Sequence, residues 1–231
     1  MTMEEKVLKW QKFSEEGLDL DYAVLLPRDA ASHLLQQLER VVTYLPPEVA
    51  RVRVFGRWHP IPRQQVILIS HVYRSSTTPS HSLLCTVHIH MFRFSGNTIF
   101  AGEWPCVVRE LRDHLYKVTG EFYNFVLVNR YRNGDDHMGE HRDDESELDP
   151  SAPIASVSLG QSRQFVLRHK DARKKGPDRR NISPVKITLE HGSLLMMNPP
   201  TNQYWYHSLP RRKNCPGVRV NLTFRRIIKN P

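Results

Sequence analysis

The sequence predicts a mainly β fold with supporting helices, and three observations carry that prediction. From residue 122 onward the chain falls into seven short runs, FYNFVLVNRY, IASVSLG, RQFVLRH, PVKITLE, GSLLMMN, QYWYH and GVRVNLTFRRII, separated by Gly, Pro and Asn. Two stretches of helical periodicity precede them and are placed to brace a sheet. In the last run Val218, Val220, Leu222 and Phe224 alternate strictly with Arg219, Asn221, Thr223 and Arg225, the period of a strand. Such punctuation argues for a sandwich or closed barrel rather than a doubly wound parallel sheet.

Residues 1–20 read as a flexible N-terminal tail, and 21–231 as a single domain, since 231 residues suffice for one substantial core. The first helix spans residues 29 to 42: Asp29 is a candidate N-cap, Leu34, Leu35, Leu38, Val41 and Val42 share one face, and Pro46-Pro47 stops the pattern. The second runs from Pro105, suited to a first turn, to about Val118, with Gly120 as the stop. In the last strand two readings stand side by side. Its polar face meets water, or it lines a small barrel, where two inward arginines must find anions because an unpaired buried charge is prohibitive.

Composition narrows the function. A 39% hydrophobic and 25% charged chain without a run of about 18 uncharged apolar residues predicts no membrane span. The N-terminal MTMEEKVLKWQKF lacks the features of a secretory leader. Cys85, Cys106 and Cys215 are odd in number and without CxxC spacing, which fits a reducing compartment and no zinc-cysteine site. A net charge of +9 favours a polyanionic partner, although a generic basic protein would show the same excess.

Two segments carry chemistry. In NRYRNGDDHMGEHRDDE, His141 and Asp143 lie two apart in an extended stretch and leave the same face. WYHSLP adds His207 far downstream. Two histidines and one carboxylate give an octahedral metal three ligands on one face and leave three open positions, the pattern of non-haem Fe(II) oxygenases. The spacing alone is weak, because His169-Lys170-Asp171 repeats it and His88-Ile89-His90 offers another pair. His169 sits in RHKDARKKGPDRR, where seven Lys and Arg against two Asp repel a cation. Asp143 instead stands among Asp135, Asp136, Glu140, Asp144 and Glu145.

Asn-Arg-Tyr at 129–131, EHRDDE at 140–145, WYHSLP at 205–210 and RVNLTFR at 219–225 resemble, in order and spacing, the AlkB family of Fe(II)- and 2-oxoglutarate-dependent nucleic-acid demethylases. The resemblance covers residues 14–65 and 92–228 and implies a double-stranded β-helix (jelly-roll) core. It implies His141, Asp143 and His207 as the catalytic iron ligands. For the cosubstrate 2-oxoglutarate it implies Asn129, Tyr131, Arg219 and Arg225, with Thr223 nearby, the guanidinium groups gripping the distal carboxylate. With O2 the reaction would release succinate and CO2 and hydroxylate an N-methyl group, which is then shed as formaldehyde.

The resemblance extends to the substrate. A base inside a duplex cannot reach a buried metal and must be flipped out. Val54-Phe55-Gly56 in RVRVFGRW resembles the family's hydrophobic finger, flanked by Arg51, Arg53 and Arg57, although an ordinary hairpin with an exposed Phe would read alike. Arg63, Phe92 and Phe94 are assigned to the substrate side. Asp144 and Glu145 resemble residues that contact the flipped base, their charge suiting a cationic methylated adenine or cytosine, with solvated loop acids as the plain alternative for Glu145. Basic segments 168–180 and 211–213 would track phosphates, or simply face solvent. The expected partner is double-stranded DNA with alkylated bases, met by a nuclear monomer that contacts no membrane. A sliding clamp is a possible further partner, but KWQKF lacks the aliphatic residues of the family's clamp-binding motif, so that motif is not evident.

One stretch departs from the family. Between PRQQ and FRFSG the family carries about ten residues with a Tyr-Gly-Asp element. Here residues 66–91 hold five Ser and four His but no Gly, Lys, Asp or Glu. That composition reads as a missed splice junction, a variant transcript or a lineage-specific loop, and predicts an atypical segment that disturbs lesion recognition more than iron binding. The leading expectation is a DNA repair dioxygenase, an Fe(II)/2-oxoglutarate-dependent DNA oxidative demethylase. An RNA demethylase or protein hydroxylase on the same fold, or a nucleic-acid-binding protein impaired in catalysis, stands beside it.

Overall fold

The alternating runs pair into two facing antiparallel sheets. The computed structural model describes residues 8–54, 56–69, 91–94, 97–100 and 102–228. Its strands are β1 (Gln11–Glu15), β2 (Leu18–Val24), β3 (Arg51–Val54), β4 (Arg57–Pro60), β5 (Gln64–Ile69), β6 (Met91–Phe94), β7 (Asn97–Phe100), β8 (Phe125–Tyr131), β9 (Met138–His141), β10 (Ile154–Gly160), β11 (Arg163–His169), β12 (Val185–Leu189), β13 (Ser193–Met197), β14 (Trp205–Leu209) and β15 (Arg219–Arg225). The larger sheet runs β1-β2-β13-β10-β15-β8-β5 and the smaller β12-β11-β14-β9, while β3-β4 and β6-β7 form separate hairpins. Two facing antiparallel sheets braced by helices are the expected jelly roll.

The central strands of the larger sheet, β13, β10, β15 and β8, are buried on both faces. Helix α1 (Arg28–Val41) and helix α2 (Cys106–Thr119) cover its outer face, Leu34 and Leu38 of one and Val108, Leu111 and Leu115 of the other packing on Val157, Val220, Leu222 and Phe224. At about 1.5–3 kcal/mol for each fully buried large apolar side chain, this layer holds the helices to the sheet. Leu195 and Met197 on the inner face meet Phe165, Leu167, Ile187 and Trp205 from the smaller sheet. Every residue of β15 is therefore buried, and its polar face points between the sheets rather than into water.

Several boundaries differ from the sequence reading. Residues 11–20 are not a tail: β1 and β2 form a hairpin whose second strand pairs with β13, because Leu18 and Leu20 alternate with aspartates and can bury against the smaller sheet. Gly17, at φ +67°, makes the turn, and a Cβ there would lie 2.7 Å from the Tyr204 ring. Asp29 is not the N-cap of α1. Pro27 holds that position and Asp29 sits in the first turn, where a carboxylate still favours the helix dipole. The second helix ends as expected, with Gly120 in the left-handed region at φ 74°. The run QYWYH is split, Thr201–Tyr204 forming a short helical turn (α3) before β14.

The atypical segment is also not uniform. Val66–Ile69 belong to β5 and pair with β8, with Val66, Ile67 and Leu68 buried, since an apolar VILI run suits a strand covered on both faces. Residues 70–90, including His88 and His90, lie outside the described residues. No helix among the described residues is long and apolar enough to cross a membrane.

Candidate metal centre and cosubstrate floor

His141 and His207 meet because they are cross-strand partners in β9 and β14. Their rings lie edge to face with centroids 4.3 Å apart, and Phe165 stacks on His207 at 5.4 Å. Asp143, two residues beyond the first histidine, brings Oδ1 to 3.7 Å from His141 Nε2 and 4.0 Å from His207 Nε2. One donor atom from each of the three lies within 4.8 Å of the others.

Several contacts hold this arrangement. His141 Nδ1 is 3.0 Å from the Gly139 carbonyl, which fixes the proton on Nδ1 and leaves the Nε2 lone pair facing the cluster. The backbone N–H of Asp143 donates to Asn202 Oδ1 at 3.0 Å, and the amide of Asn202 donates back to the Asp143 carbonyl. Arg225 donates from Nε at 3.1 Å and approaches with Nη2 at 2.8 Å, both to Asp143 Oδ2, leaving Oδ1 toward the histidines. Burial opposes the charge on Asp143, but Arg225 and the two imidazoles outweigh it and hold the carboxyl at about 2. Burial pushes His207 down to about 3, with repulsion from His141 added and the pull of Asp143 opposing, and lowers His141 as well. Two neutral imidazoles and one carboxylate with a free oxygen are the donor set that a divalent cation requires.

A polar floor on the inner face of the larger sheet adjoins this cluster. In the register of β8 with β15, Asn129 lies opposite Asn221, Tyr131 opposite Arg219, Leu127 opposite Thr223 and Phe125 opposite Arg225. Asn221 donates to Ser156 Oγ and to the Val157 carbonyl, both at 2.9 Å, and accepts from Thr223 Oγ1 at 3.1 Å. Arg219 is 2% exposed, sits 5.2 Å from the Tyr131 ring centroid and donates to Ser158 Oγ at 2.9 Å. Its Nε has no partner, and no carboxylate among the described residues pairs with it. Burial holds its guanidinium at about 10, with Tyr131 opposing. A buried cation left without an anion fits a ligand carboxylate, so the floor and the metal triad together suit a keto acid that chelates with one end and anchors with the other.

The structure redistributes some of the expected roles. Arg225 is engaged by Asp143 through Nε and Nη2, so its first role in the structure is to hold that carboxylate. Arg63 is drawn toward the floor, its Nε donating to Asn129 Oδ1 at 2.8 Å. Asp144 is exposed, whereas Glu145 is shielded, with Oε2 buried and unpartnered and its acidity reduced by burial against the pull of Arg225. Glu145 is thus no solvated loop acid. Both acids line a cavity of about 300 Å³ beside Asp143 and Arg225, walled by Ile154, Met197 and Asn202. Gly56 turns the β3-β4 hairpin at φ 79°, and Phe55 lies outside the described residues, as do the side chains of Val54, Phe92 and Phe94. His169 is buried between Tyr204 and Trp205, and Lys174 and Arg180 take up the Asp171 carboxylate at 2.8 and 3.5 Å, so that motif presents no metal site.

Asn202, Phe165 and Arg163 escaped the sequence reading. Asn221 stands in that reading only as part of the alternation of its strand, without a role in the site. The others carry no local signal, because their partners lie tens of residues away.

Comparison with known proteins places this geometry. The 2OG-Fe(II) oxygenase superfamily profile matches residues 58–225. The human DNA oxidative demethylase ALKBH2 is 49% identical over 219 residues, spanning 95% of this chain and 77% of that protein. This chain belongs to the 2OG-Fe(II) oxygenase superfamily, in its AlkB branch. The mouse ALKBH2 demethylase is 48% identical over 95% of this chain and 84% of its own. The human alpha-ketoglutarate-dependent dioxygenase alkB homolog 3 is 38% identical over 128 residues, 55% of this chain and 45% of that protein. A solved structure, that of OsALKBH1, superposes with a TM-score of 0.55 at 15% identity, covering 94% of this chain and all of the other, which supports the shared fold. As for the superfamily, the cofactors are Fe(II) and 2-oxoglutarate, with O2.

Proposed function

We propose that this chain is a DNA repair dioxygenase that oxidatively demethylates N-alkylated bases of the 1-methyladenine and 3-methylcytosine type in double-stranded DNA, releasing formaldehyde and succinate. The observation that carries the reading is the pairing of one His-Asp-His cluster with one buried, carboxylate-free arginine on the adjoining floor. Bound Fe(II) with 2-oxoglutarate and O2 supplies the oxidation of the N-methyl carbon.

The chain's own residues do the rest. His141 and His207 would hold the metal through Nε2 and Asp143 through Oδ1, with Arg225 keeping Asp143 ionised and oriented. Arg219, with Ser158, would receive the distal carboxylate, and Asn129, Tyr131 and Thr223 would shape the floor beneath it. The apolar residues that flank the polar floor between the sheets, Leu195 and Met197 with Phe165 and Leu167, exclude water from this space. Asp144 and Glu145 put negative charge at the cavity beside Asp143, which suits a cationic methylated base. The Val54-Phe55-Gly56 finger would fill the vacated stack, with Arg63, Phe92 and Phe94 on the base side. Segments 168–180 and 211–213 would follow the phosphates, making binding sensitive to salt. We place this activity in the nucleus, in a monomer that contacts no membrane; a sliding clamp stays a possible partner, its motif not being evident in the sequence.

The test loads the purified chain with Fe(II) anaerobically, then adds O2, 2-oxoglutarate and a duplex containing 1-methyladenine, and follows base repair and succinate. Both products are expected, and Asp143→Ala should remove both together with bound iron. Succinate without repair would reject the substrate assignment, and retained activity in Asp143→Ala would reject the metal assignment.

A further inference from the structure

Arg163, the first residue of β11, is 2% exposed and has no carboxylate partner among the described residues. Its guanidinium is held by three backbone carbonyls: Nη1 donates to Asn133 at 3.1 Å, and Nη2 to Asp136 at 3.0 Å and Pro210 at 2.8 Å. Asn133 and Asp136 lie in the loop that leads into β9 and His141, and Pro210 follows the strand that carries His207. One fork therefore joins the entry to one ligand strand and the exit from the other.

The charge of that fork is left over. Asp136 is adjacent, but its carboxylate is turned to Arg132, which donates to it from its backbone N at 2.8 Å, Nε at 2.9 Å and Nη2 at 2.7 Å. Arg163 receives only the carbonyl of that residue. Its guanidinium carbon lies 5.9 Å from the Tyr131 ring centroid, and that of Arg219 lies 5.2 Å from the same centroid. The Nε atoms of both arginines are buried without a partner. Two unneutralised cations thus share one aromatic ring in the interior, a costly arrangement unless an anion binds between or beside them.

We propose that Arg163 is a positioning residue of the cosubstrate site, a fixed second positive charge beside Tyr131 that makes the site select a dicarboxylate 2-oxo acid over a monocarboxylate one. The proposal rests on the reading that Arg219 receives the distal carboxylate. At an effective dielectric near 20, a unit charge about 10 Å from a carboxylate changes binding roughly tenfold. A carbonyl clamp alone would need no such charge, and the two roles separate by substitution. Arg163→Gln loses the charge, while Arg163→Lys keeps it and loses the planar fork.

The experiment is calorimetric titration of the anaerobic, Fe(II)-loaded full chain with 2-oxoglutarate and with 2-oxobutyrate, which lacks the distal carboxylate, alongside steady-state succinate formation. We expect Arg163→Gln to weaken 2-oxoglutarate roughly tenfold, to leave 2-oxobutyrate within about twofold, and to raise KM with kcat unchanged. Arg163→Lys should keep 2-oxoglutarate within about threefold of the unaltered chain. Equal weakening of both acids, equal loss in both variants, or no change in Arg163→Gln overturns the proposal. If Arg163→Gln fails to fold, Arg163→Lys alone decides, retention supporting the role and a roughly tenfold loss refuting it. Arg219→Gln separates the underlying reading: if it keeps the preference for the dicarboxylate, the cosubstrate assignment itself fails. If it loses the preference while Arg163→Gln keeps it, only the role of Arg163 fails.

Discussion

Replacing Arg219 with Met should make the metal-free protein more stable and abolish its response to 2-oxoglutarate. Arg219 is 2% exposed, donates to Ser158 Oγ and has no carboxylate partner among the described residues. Burial holds its guanidinium at about 10 against an ordinary 12.5, with Tyr131 opposing. That drop corresponds to about 3 kcal/mol. A base whose pKa is lower in the folded than in the unfolded chain bears its full penalty at any pH below the folded value, so the whole cost is present at neutral pH. Removing the charge relieves it, while loss of the Ser158 bond takes back about 1 kcal/mol. Metal-free Arg219→Met should therefore exceed the unaltered chain by about 1–2 kcal/mol in anaerobic urea denaturation. With Fe(II) and 2-oxoglutarate the order reverses, because the unaltered chain gains about 2.7 kcal/mol at a hundredfold excess over Kd and the variant gains none from the cosubstrate. A metal-free variant less stable than its parent, or one still stabilised by 2-oxoglutarate, would refute the reasoning.

Other expectations follow from packing and from His191. Leu68→Ala should lower stability by about 2–5 kcal/mol in urea denaturation, since Leu68 is 5% exposed in β5, and a change below about 0.5 kcal/mol would place residues 66–69 outside the core. Gly134→Ala would set a Cβ 1.8 Å from the Arg212 carbonyl oxygen and break the 2.8 Å bond from Arg212 N to Gly134 O, so a loss of about 2 kcal/mol or more is expected from thermal unfolding. An unchanged midpoint would show that the loop yields freely. His191 accepts from Gly160 N at Nδ1 (2.8 Å) and meets Ser32 Oγ at Nε2 (3.0 Å), and burial lowers its pKa. The neutral ring is thus the folded form, its contribution complete above the ordinary histidine value and lost as pH falls. Between about pH 7 and 5 the unaltered chain should lose stability more steeply than His191→Gln, and parallel profiles would exclude this linkage.

Much of the site was legible because it depends on spacing along the chain. His141 and Asp143 lie two apart in the sequence, and Arg219 and Arg225 alternate with buried apolar residues, so each pair could be read locally, although Asp143 lies beyond the end of β9 and is held by Asn202 and Arg225. Arg163 could not, since its three acceptors come from residues 133, 136 and 210. Nor could β1 and β2 be placed, because the alternation in LDLDYAV has meaning only once β13 offers an edge for pairing.

By itself the sequence determined which residue types stand at strand spacing: a His-x-Asp, a distant histidine, an alternating arginine strand and a helix stop at Gly120. These are properties of local backbone geometry. Only the tertiary structure decided that the polar face of β15 points inward, because helices cover its other side. It decided too that Arg225 belongs to Asp143 while Arg219 is left for an anion, that Glu145 rather than Asp144 is shielded, and that Val66–Ile69 join the core. Each of these outcomes turns on burial and on which charge lies within a few ångströms of another, which are set when distant strands come into register.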